Sequence, residues 1–242
     1  MMKNVLADWP HETVKYLKRN RRQIEMVLTH LNSFHNRAVI KSTKLGELSL
    51  DNIFSKLILP LQIAILETEL NILLTKHSRF KPLIGSIDLP SKSLVEKWLL
   101  TVDFLFKDAY SINKSQEITE FTLGDTNFHR YKCIVALIRD DLGPFIEVRN
   151  RLSHGQWEVA FNYDVLTKNQ ALTTSIWTIS KKDIMLLRSF VKNLPILIEL
   201  LLIGKKVFES GYDRFLGRIQ RAKKDADLKY LTFVNKGKRA TS

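Results

Sequence analysis

The chain has 242 residues and a formal net charge of +13, with 38 lysine and arginine residues against 25 acidic ones. Its 45% hydrophobic and 26% charged residues are typical of globular domains, which excludes a mainly disordered chain. A single cysteine excludes an intramolecular disulfide framework and a zinc site built from several cysteines.

The positive charge is concentrated near the two ends of the chain. Residues 1–30 carry a net +3 and residues 205–242 a net +7, which leaves only +3 for the 174 residues between them. A basic excess favours an acidic partner such as nucleic acid and says nothing about the fold. We therefore expect the ends of the chain to attract such a partner.

Glycine and proline are scarce, which favours long helices. Apolar residues recur at spacings of three, four and seven over residues 10–37 and predict a first helix there. Its basic run Lys18–Arg22 is either a solvated helix face or a nucleic-acid contact. A second helix is predicted from about residue 49 to residue 76, with Pro60 as a kink or a break.

Three further helices are predicted in the middle of the chain. A loop over Arg79–Ser91 leads into the first of them, which begins at about residue 91. A polar connection over residues 111–127 precedes the second, at residues 128–141. Pro144 is well placed to start the third, and Gly155 to stop it.

After Gly155 the pattern of apolar residues changes from one typical of helices to one typical of strands. Two segments rich in alternating or β-branched residues predict a hairpin over about residues 157–179. A last long helix is predicted over about residues 181–209, capped by Ser180. From Gly211 onward the chain is basic and poor in apolar residues, and we expect a loose tail.

Together these elements predict an all-α fold, a helical bundle with one small β-hairpin inserted before the last long helix. Residues 1–210 would form the helical domain and residues 211–242 a basic C-terminal extension. The apolar stretches Leu57–Leu74 and Ile184–Ile203 contain charged residues, which predicts core helices and not membrane spans. Because no secretory signal is evident, we expect a soluble cytoplasmic protein.

Residues 147–155 carry the clearest functional pattern. Asn150 and His154 are four residues apart and share a helix face, with Arg149 projecting beside it. A histidine can act as general acid or base near neutral pH, and an arginine can hold phosphate by charge-assisted hydrogen bonds. An asparagine can orient a hydroxyl or a phosphate oxygen. This combination suits RNA cleavage in which the 2′-hydroxyl attacks its own phosphate.

The pattern Arg149-Asn150-x-x-x-His154, on a helix late in a helical chain, resembles the Arg-x4–6-His motif of HEPN domains. The resemblance implies a HEPN-like bundle and a metal-independent endoribonuclease without cofactors, with Arg149, Asn150 and His154 as catalytic residues. The implied products carry 2′,3′-cyclic phosphate and 5′-hydroxyl ends. The resemblance also implies a homodimer, in which two motifs form one composite cleft, and a role as a toxin or antiphage defence effector.

Weaker candidates lie elsewhere in the chain. Glu69 interrupts an apolar run and either pairs with Arg149 or lies on the solvent-exposed side of its helix. The remaining histidines lack metal-ligand spacing and are predicted to be ordinary helix residues, so no metal site is expected. A stretch that interleaves aromatic and basic residues either binds RNA or is a solvated helix end. Its members are Tyr212, Arg214, Phe215, Arg218, Arg221, Lys223 and Lys224.

Two other functions stay open. One is a non-catalytic HEPN-like module that binds RNA or assembles with a partner subunit. The other is a toxin held silent by a cognate antitoxin or another partner protein of a defence system.

Overall fold

The computed structural model of the protein describes residues 9–45, 49–80, 92–162 and 167–239. Within these ranges the chain is mostly helical and contains no β-strand, which confirms the all-α prediction. The helices are α1 (Trp9–Leu45), α2 (Ser49–Lys76), α3 (Leu94–Ala109), α4 (Glu120–Leu123), α5 (Asp125–Ala136), α6 (Gly143–Ser153), α7 (Gln170–Thr178), α8 (Lys181–Ile203) and α9 (Lys205–Arg239). A 3-10 turn covers Ser78–Phe80, and a π-helix covers Leu137–Leu142.

Two predicted helix starts are confirmed by their caps. Ser93 caps α3 in a capping box, because its hydroxyl accepts from the backbone N–H of Glu96 while the Glu96 carboxylate accepts from the backbone N–H of Ser93. Ser180 precedes α8, and its backbone N–H donates to Oδ2 of Asp183 at 3.0 Å. Both starts were visible in the sequence because the capping residues lie within three positions of each other.

The second half of the predicted hairpin is wrong, because it forms helix α7. The side chain of Asn169 accepts a hydrogen bond from the backbone N–H of Leu172 at 3.0 Å and so caps the helix. The hydroxyls of Thr173 and Thr174 donate to carbonyls four residues earlier, at 2.7 and 2.9 Å. The residues that indicated a strand therefore satisfy their hydroxyls along the helix backbone.

The first half of the predicted hairpin is irregular where it is described. A single antiparallel bridge joins Phe161 to Lys168 and is the one β-bridge among the described residues. The predicted turn falls partly on residues 163–166, which lie outside the described ranges. No β-hairpin is therefore shown.

The C-terminal region also differs from the prediction. The last long helix, expected over residues 181–209, is two helices that meet at Gly204, whose φ of +143° favours glycine. The expected loose tail is helical, because α9 continues to Arg239. The division into a domain at 1–210 and an extension at 211–242 stays a prediction.

The first helix continues to Leu45, past its predicted end at residue 37, and the other elements lie close to their predicted positions. Helix α2 passes through Pro60 without a break. The predicted connection over residues 111–127 contains the short α4, and the helix predicted at residues 128–141 is α5 followed by the π-helix. Most of the predicted loop Arg79–Ser91 lies outside the described residues.

The chain clusters into two compact units, each drawn from three separate stretches. Unit 1 comprises Met1–Arg22, Leu66–Pro144 and Asn193–Leu216. Unit 2 comprises Gln23–Ile65, Phe145–Lys192 and Gly217–Ser242. The candidate motif at residues 149–154 therefore belongs to unit 2.

The core of unit 1 is rich in aromatic side chains. Phe106 packs edge-on against Tyr131 and Phe208, with ring centroids 5.1 and 5.3 Å apart. Trp98, also on α3, is completely buried. Helix α3 turns an apolar face to this core, where it buries Leu94, Trp98, Val102, Leu105 and Phe106.

The core of unit 2 positions the motif helix. Ile58, Leu59 and Ile63 of α2 are completely buried. Helix α6 buries Ile146, Val148 and Leu152. Because these three apolar residues fix one side of α6 in the core, the residues between and after them are held in place.

Helix α2 is the one described helix that is long and apolar enough to cross a membrane by length and composition. Within its segment Leu50–Lys76, 56% of the most apolar window is buried in the structure. Such burial is typical of a core helix in a soluble protein, which agrees with the prediction for Leu57–Leu74.

Candidate functional site

The C-terminal end of α6 has the geometry of a Schellman motif. The backbone N–H of Gln156 donates to the carbonyl of Arg151 at 3.0 Å, and that of Gly155 to the carbonyl of Leu152 at 3.1 Å. Gly155 has a φ of +79°, the left-handed conformation that this motif requires. The prediction that α6 stops at Gly155 is confirmed, and His154 occupies the capping position just before it.

The three motif residues lie together at this helix end. His154 is exposed, whereas Arg149 and Asn150 are half-buried. One guanidinium nitrogen of Arg149, Nη1, donates to Oδ1 of Asn150 at 3.2 Å. The backbone N–H of His154 donates to the carbonyl of Asn150, also at 3.2 Å. A cationic group, an amide and an accessible imidazole are thus presented within the last two turns of the helix.

A buried lysine fixes the chain just after the motif, and the sequence did not indicate it. Nζ of Lys56 donates to the backbone carbonyl of Trp157 at 2.9 Å, from a position 101 residues earlier. Burial lowers the pKa of Lys56 below its usual value, and the charge of Glu158 opposes that effect. Since Trp157 is three residues beyond His154, this hydrogen bond restrains the segment that leaves the motif.

Helix α7 is joined to the same segment. The indole N–H of Trp177 donates to the carbonyl of Glu158 at 2.7 Å. The side-chain amide of Asn52 donates to three carbonyls at the end of α7, each at 3.0 Å. These carbonyls lack partners within the helix, so Asn52 acts as a C-terminal cap supplied by α2.

A buried polar cluster in unit 2 was also missed. Oδ1 of Asp51 lies 2.7 Å from Nε2 of His35 and 2.8 Å from the backbone nitrogen of Lys181, and Oδ2 accepts from the hydroxyl of Tyr230 at 2.9 Å. His35 is completely buried and is therefore not the ordinary helix residue that its spacing indicated. Ser55 also donates to Oδ1, at 3.3 Å.

The contacts within this cluster change the pKa values of Asp51 and Tyr230. Burial alone would raise the pKa of Asp51, but the hydrogen bonds from His35 and Tyr230 outweigh it, and the pKa is lowered. Burial and the neighbouring Asp51 charge raise the pKa of Tyr230 to about 12. Near neutral pH the cluster therefore holds a carboxylate and a protonated phenol.

Glu69 is half-buried on α2 and forms an ion pair with Arg21 of α1, both in unit 1. Arg21 belongs to the basic run Lys18–Arg22, so one cation of that run has an acidic partner. The proposed pairing of Glu69 with Arg149 stays a prediction.

The basic residues predicted to bind RNA lie on α9. All five are exposed: Arg214, Arg218, Arg221, Lys223 and Lys224. The aromatic residue Tyr212 behaves differently, because it is buried and packs edge-on against Phe208 with ring centroids 5.5 Å apart. Tyr212 therefore belongs to the core of unit 1, and stacking on RNA bases is not open to it.

Comparisons with protein-family models, with curated proteins and with solved structures give no match for this chain. Among the residues that the structure describes, no three histidine, cysteine, aspartate or glutamate side chains are grouped as metal ligands would be.

Proposed function

We propose that the chain is a HEPN-type endoribonuclease that cleaves RNA without a metal ion. The observation that carries this proposal is the arrangement at the end of α6, where exposed His154 caps the helix one turn after Asn150 and Arg149 bonds to Asn150. The net charge of +13 supports an RNA substrate, because a basic surface attracts a polyanion.

The reaction assigns one role to each motif residue. A base removes the proton of a 2′-hydroxyl, O2′ attacks the adjacent phosphorus, the P–O5′ bond breaks, and an acid protonates the leaving O5′. His154 serves as the acid or the base. Arg149 stabilises the charge that develops on the phosphate oxygens, and Asn150 orients the reacting groups. The products carry 2′,3′-cyclic phosphate and 5′-hydroxyl ends.

The resemblance to HEPN proteins extends the proposal to assembly and biological role. A homodimer would bring two motifs into one composite cleft, so that a second His154 supplies the other proton-transfer group. We further propose a cytoplasmic toxin or antiphage defence effector, restrained by an antitoxin or another partner protein. Activity per mole that rises with protein concentration would support the composite cleft.

The exposed basic residues of α9 favour a second candidate, a non-catalytic module that binds RNA or assembles with a partner. Such a module requires the basic surface but makes no use of the exposed imidazole. It predicts that RNA is retained without being cut, whatever residue stands at position 154.

Cleavage of single-stranded RNA in EDTA separates the two candidates. The wild-type protein should cut, and His154→Ala should not. His30→Ala is the matched control, because His30 is also an exposed histidine on a helix but lies outside the motif. Equal cutting by wild type and His154→Ala would overturn the catalytic assignment, and RNA retention without cutting by the wild type would support the binding module.

A further inference from the structure

We propose that Trp157 and Trp177 form a stacking platform for unpaired RNA bases next to His154. This inference rests on the proposed ribonuclease function and names the substrate class, which is single-stranded RNA. Two exposed indoles with adjacent cations are the arrangement by which proteins hold single strands, since every base offers a face for stacking.

Both indoles are accessible. Trp157 is 38% exposed and Trp177 is 50% exposed, whereas Trp98 is completely buried. A large aromatic side chain on the surface leaves apolar area in contact with water, and two of them on elements that are bonded together mark an interaction site better than a single one does.

The indole of Trp177 is held to the backbone segment that carries Trp157. The indole N–H of Trp177 donates at 2.7 Å to the carbonyl of Glu158, the residue directly after Trp157. Lys56 holds the carbonyl of Trp157, and Asn52 holds the end of the helix that carries Trp177. Because these anchors exist without RNA, little ordering is needed when a strand binds.

The charges around the indoles fit a nucleic-acid strand. Nζ of Lys168 lies over the Trp177 ring, 5.4 Å from its centre, and its flexible side chain can move aside for a base and meet the adjoining phosphate. The one acidic side chain on the anchoring segment, Glu158, is exposed, and its charge is opposed by that of Lys56. A duplex fits less well, because its bases are already stacked on one another.

The platform lies within reach of the motif. The backbone N–H of Trp157 donates to the carbonyl of Gly155 at 3.0 Å, so a tight turn connects it to His154. A base stacked on Trp157 would place the neighbouring phosphate close to the imidazole. The platform would therefore determine which unpaired nucleotides are presented for cleavage.

Binding of an RNA that cannot be cut tests the platform. The probe is a short fluorescein-labelled 2′-O-methyl oligonucleotide, which lacks the attacking hydroxyl, and the readout is fluorescence anisotropy. Trp157→Leu and Trp177→Leu should each raise Kd about tenfold. Trp157→Phe and Trp177→Phe should retain most of the affinity, and Phe121→Leu is the control, since Phe121 is a fully exposed aromatic residue in unit 1.

Trp157→Phe keeps a ring for stacking, so it separates the loss of stacking from a loss of folding. The platform is wrong if the wild type does not bind the probe, if both leucine variants bind like the wild type, or if Trp157→Phe loses as much affinity as Trp157→Leu. A self-complementary duplex should bind the wild type and the leucine variants with equal affinity. If the leucine variants lost as much affinity for the duplex as for the single strand, that result would also contradict base stacking.

Cleavage of unmodified RNA, measured in parallel, separates this inference from the function on which it rests. If the wild type cuts RNA but the tryptophan variants bind the probe normally, the platform alone is wrong. If the variants lose binding but the wild type cuts nothing, the platform stands and the ribonuclease assignment is wrong.

Discussion

The hydroxyl of Tyr230 donates to Oδ2 of Asp51 at 2.9 Å, although 179 residues separate the two in sequence. Asp227, one turn earlier on α9, forms an ion pair with Lys182 at 2.5 Å. Ile219 and Ala226 of the same helix are buried. The C-terminal part of α9 therefore contributes buried side chains to unit 2.

Removing the hydroxyl of Tyr230 should destabilise the protein. Tyr230→Phe deletes one hydrogen bond to a buried carboxylate, and we expect the free energy of unfolding to fall by about 1–2 kcal/mol. Urea denaturation followed by circular dichroism measures the change. Tyr16→Phe is the control, because Tyr16 is exposed and its substitution should have little effect. Equal stability of the two variants would show that the Tyr230–Asp51 bond is not formed in solution.

The buried side chains of α9 also limit the variants that can separate RNA binding from cleavage. Deleting residues 211–242 would remove buried side chains along with the basic ones, and we expect the shortened chain to unfold. Replacing exposed charges avoids this problem. Arg218, Arg221 and Lys224 follow one another at spacings of three and so lie on one side of α9.

Changing Arg218, Arg221 and Lys224 together to glutamine should weaken RNA binding and leave the cleavage rate at saturating RNA unchanged. Each lost phosphate contact should reduce the slope of log K against log salt by about 0.7 for a single strand. A control variant with glutamine at three exposed lysines outside α9, Lys114, Lys132 and Lys192, matches the change in charge. If both triple variants weaken binding alike, only net charge matters and α9 has no specific role.

The acid sensitivity of the protein should depend on Asp51. The pKa of Asp51 is lower in the folded protein than in the unfolded chain, where it is about 4. The contribution of Asp51 to stability is therefore complete at a pH well above the unfolded pKa. It is lost as the pH falls through the folded pKa. Asp51→Asn should reduce stability at neutral pH and flatten its decline between about pH 5 and about pH 3. Urea midpoints measured across this range test the prediction, and parallel curves for both proteins would contradict it.

The helix end that carries His154 should require glycine at position 155. An added Cβ would meet no atom within 4 Å, so the cost of Gly155→Ala arises only from its φ of +79° and should be about 1 kcal/mol. Gly217 in α9 also has open space but no positive φ, and Gly217→Ala should stabilise by about 0.5–1 kcal/mol. Thermal melts that shift in the same direction for both variants would contradict this account of the Schellman motif.

Local signals explain which parts of the fold could be predicted. Pro144 and Gly155 bound α6, and Ser93 with Glu96 starts α3, because each signal lies within the few residues that it governs. The β-branched composition of residues 172–179 favours a strand, but Asn169 caps α7 and the segment is helical. There, a single capping residue and packing outweighed the propensity of the segment.

Distant pairings explain what could not be predicted. Lys56 donates a hydrogen bond to the carbonyl of Trp157, which is 101 residues away in sequence. Asp51 is hydrogen-bonded to His35 and Tyr230, which lie on two other helices. No spacing rule connects such residues, because only the packing of the helices brings them together. The motif itself was visible because Arg149, Asn150 and His154 lie within two turns of one helix.

The chemistry of the cut ends tests the central claim most directly. RNA is incubated with the wild-type protein or with His154→Ala in EDTA, and the products are analysed for their terminal groups. The proposed reaction predicts 2′,3′-cyclic phosphate and 5′-hydroxyl ends from the wild type, no products from His154→Ala, and no cutting where a 2′-deoxy nucleotide replaces the attacking one. Ends with 5′-phosphate and 3′-hydroxyl groups, or the same products from His154→Ala, would contradict it.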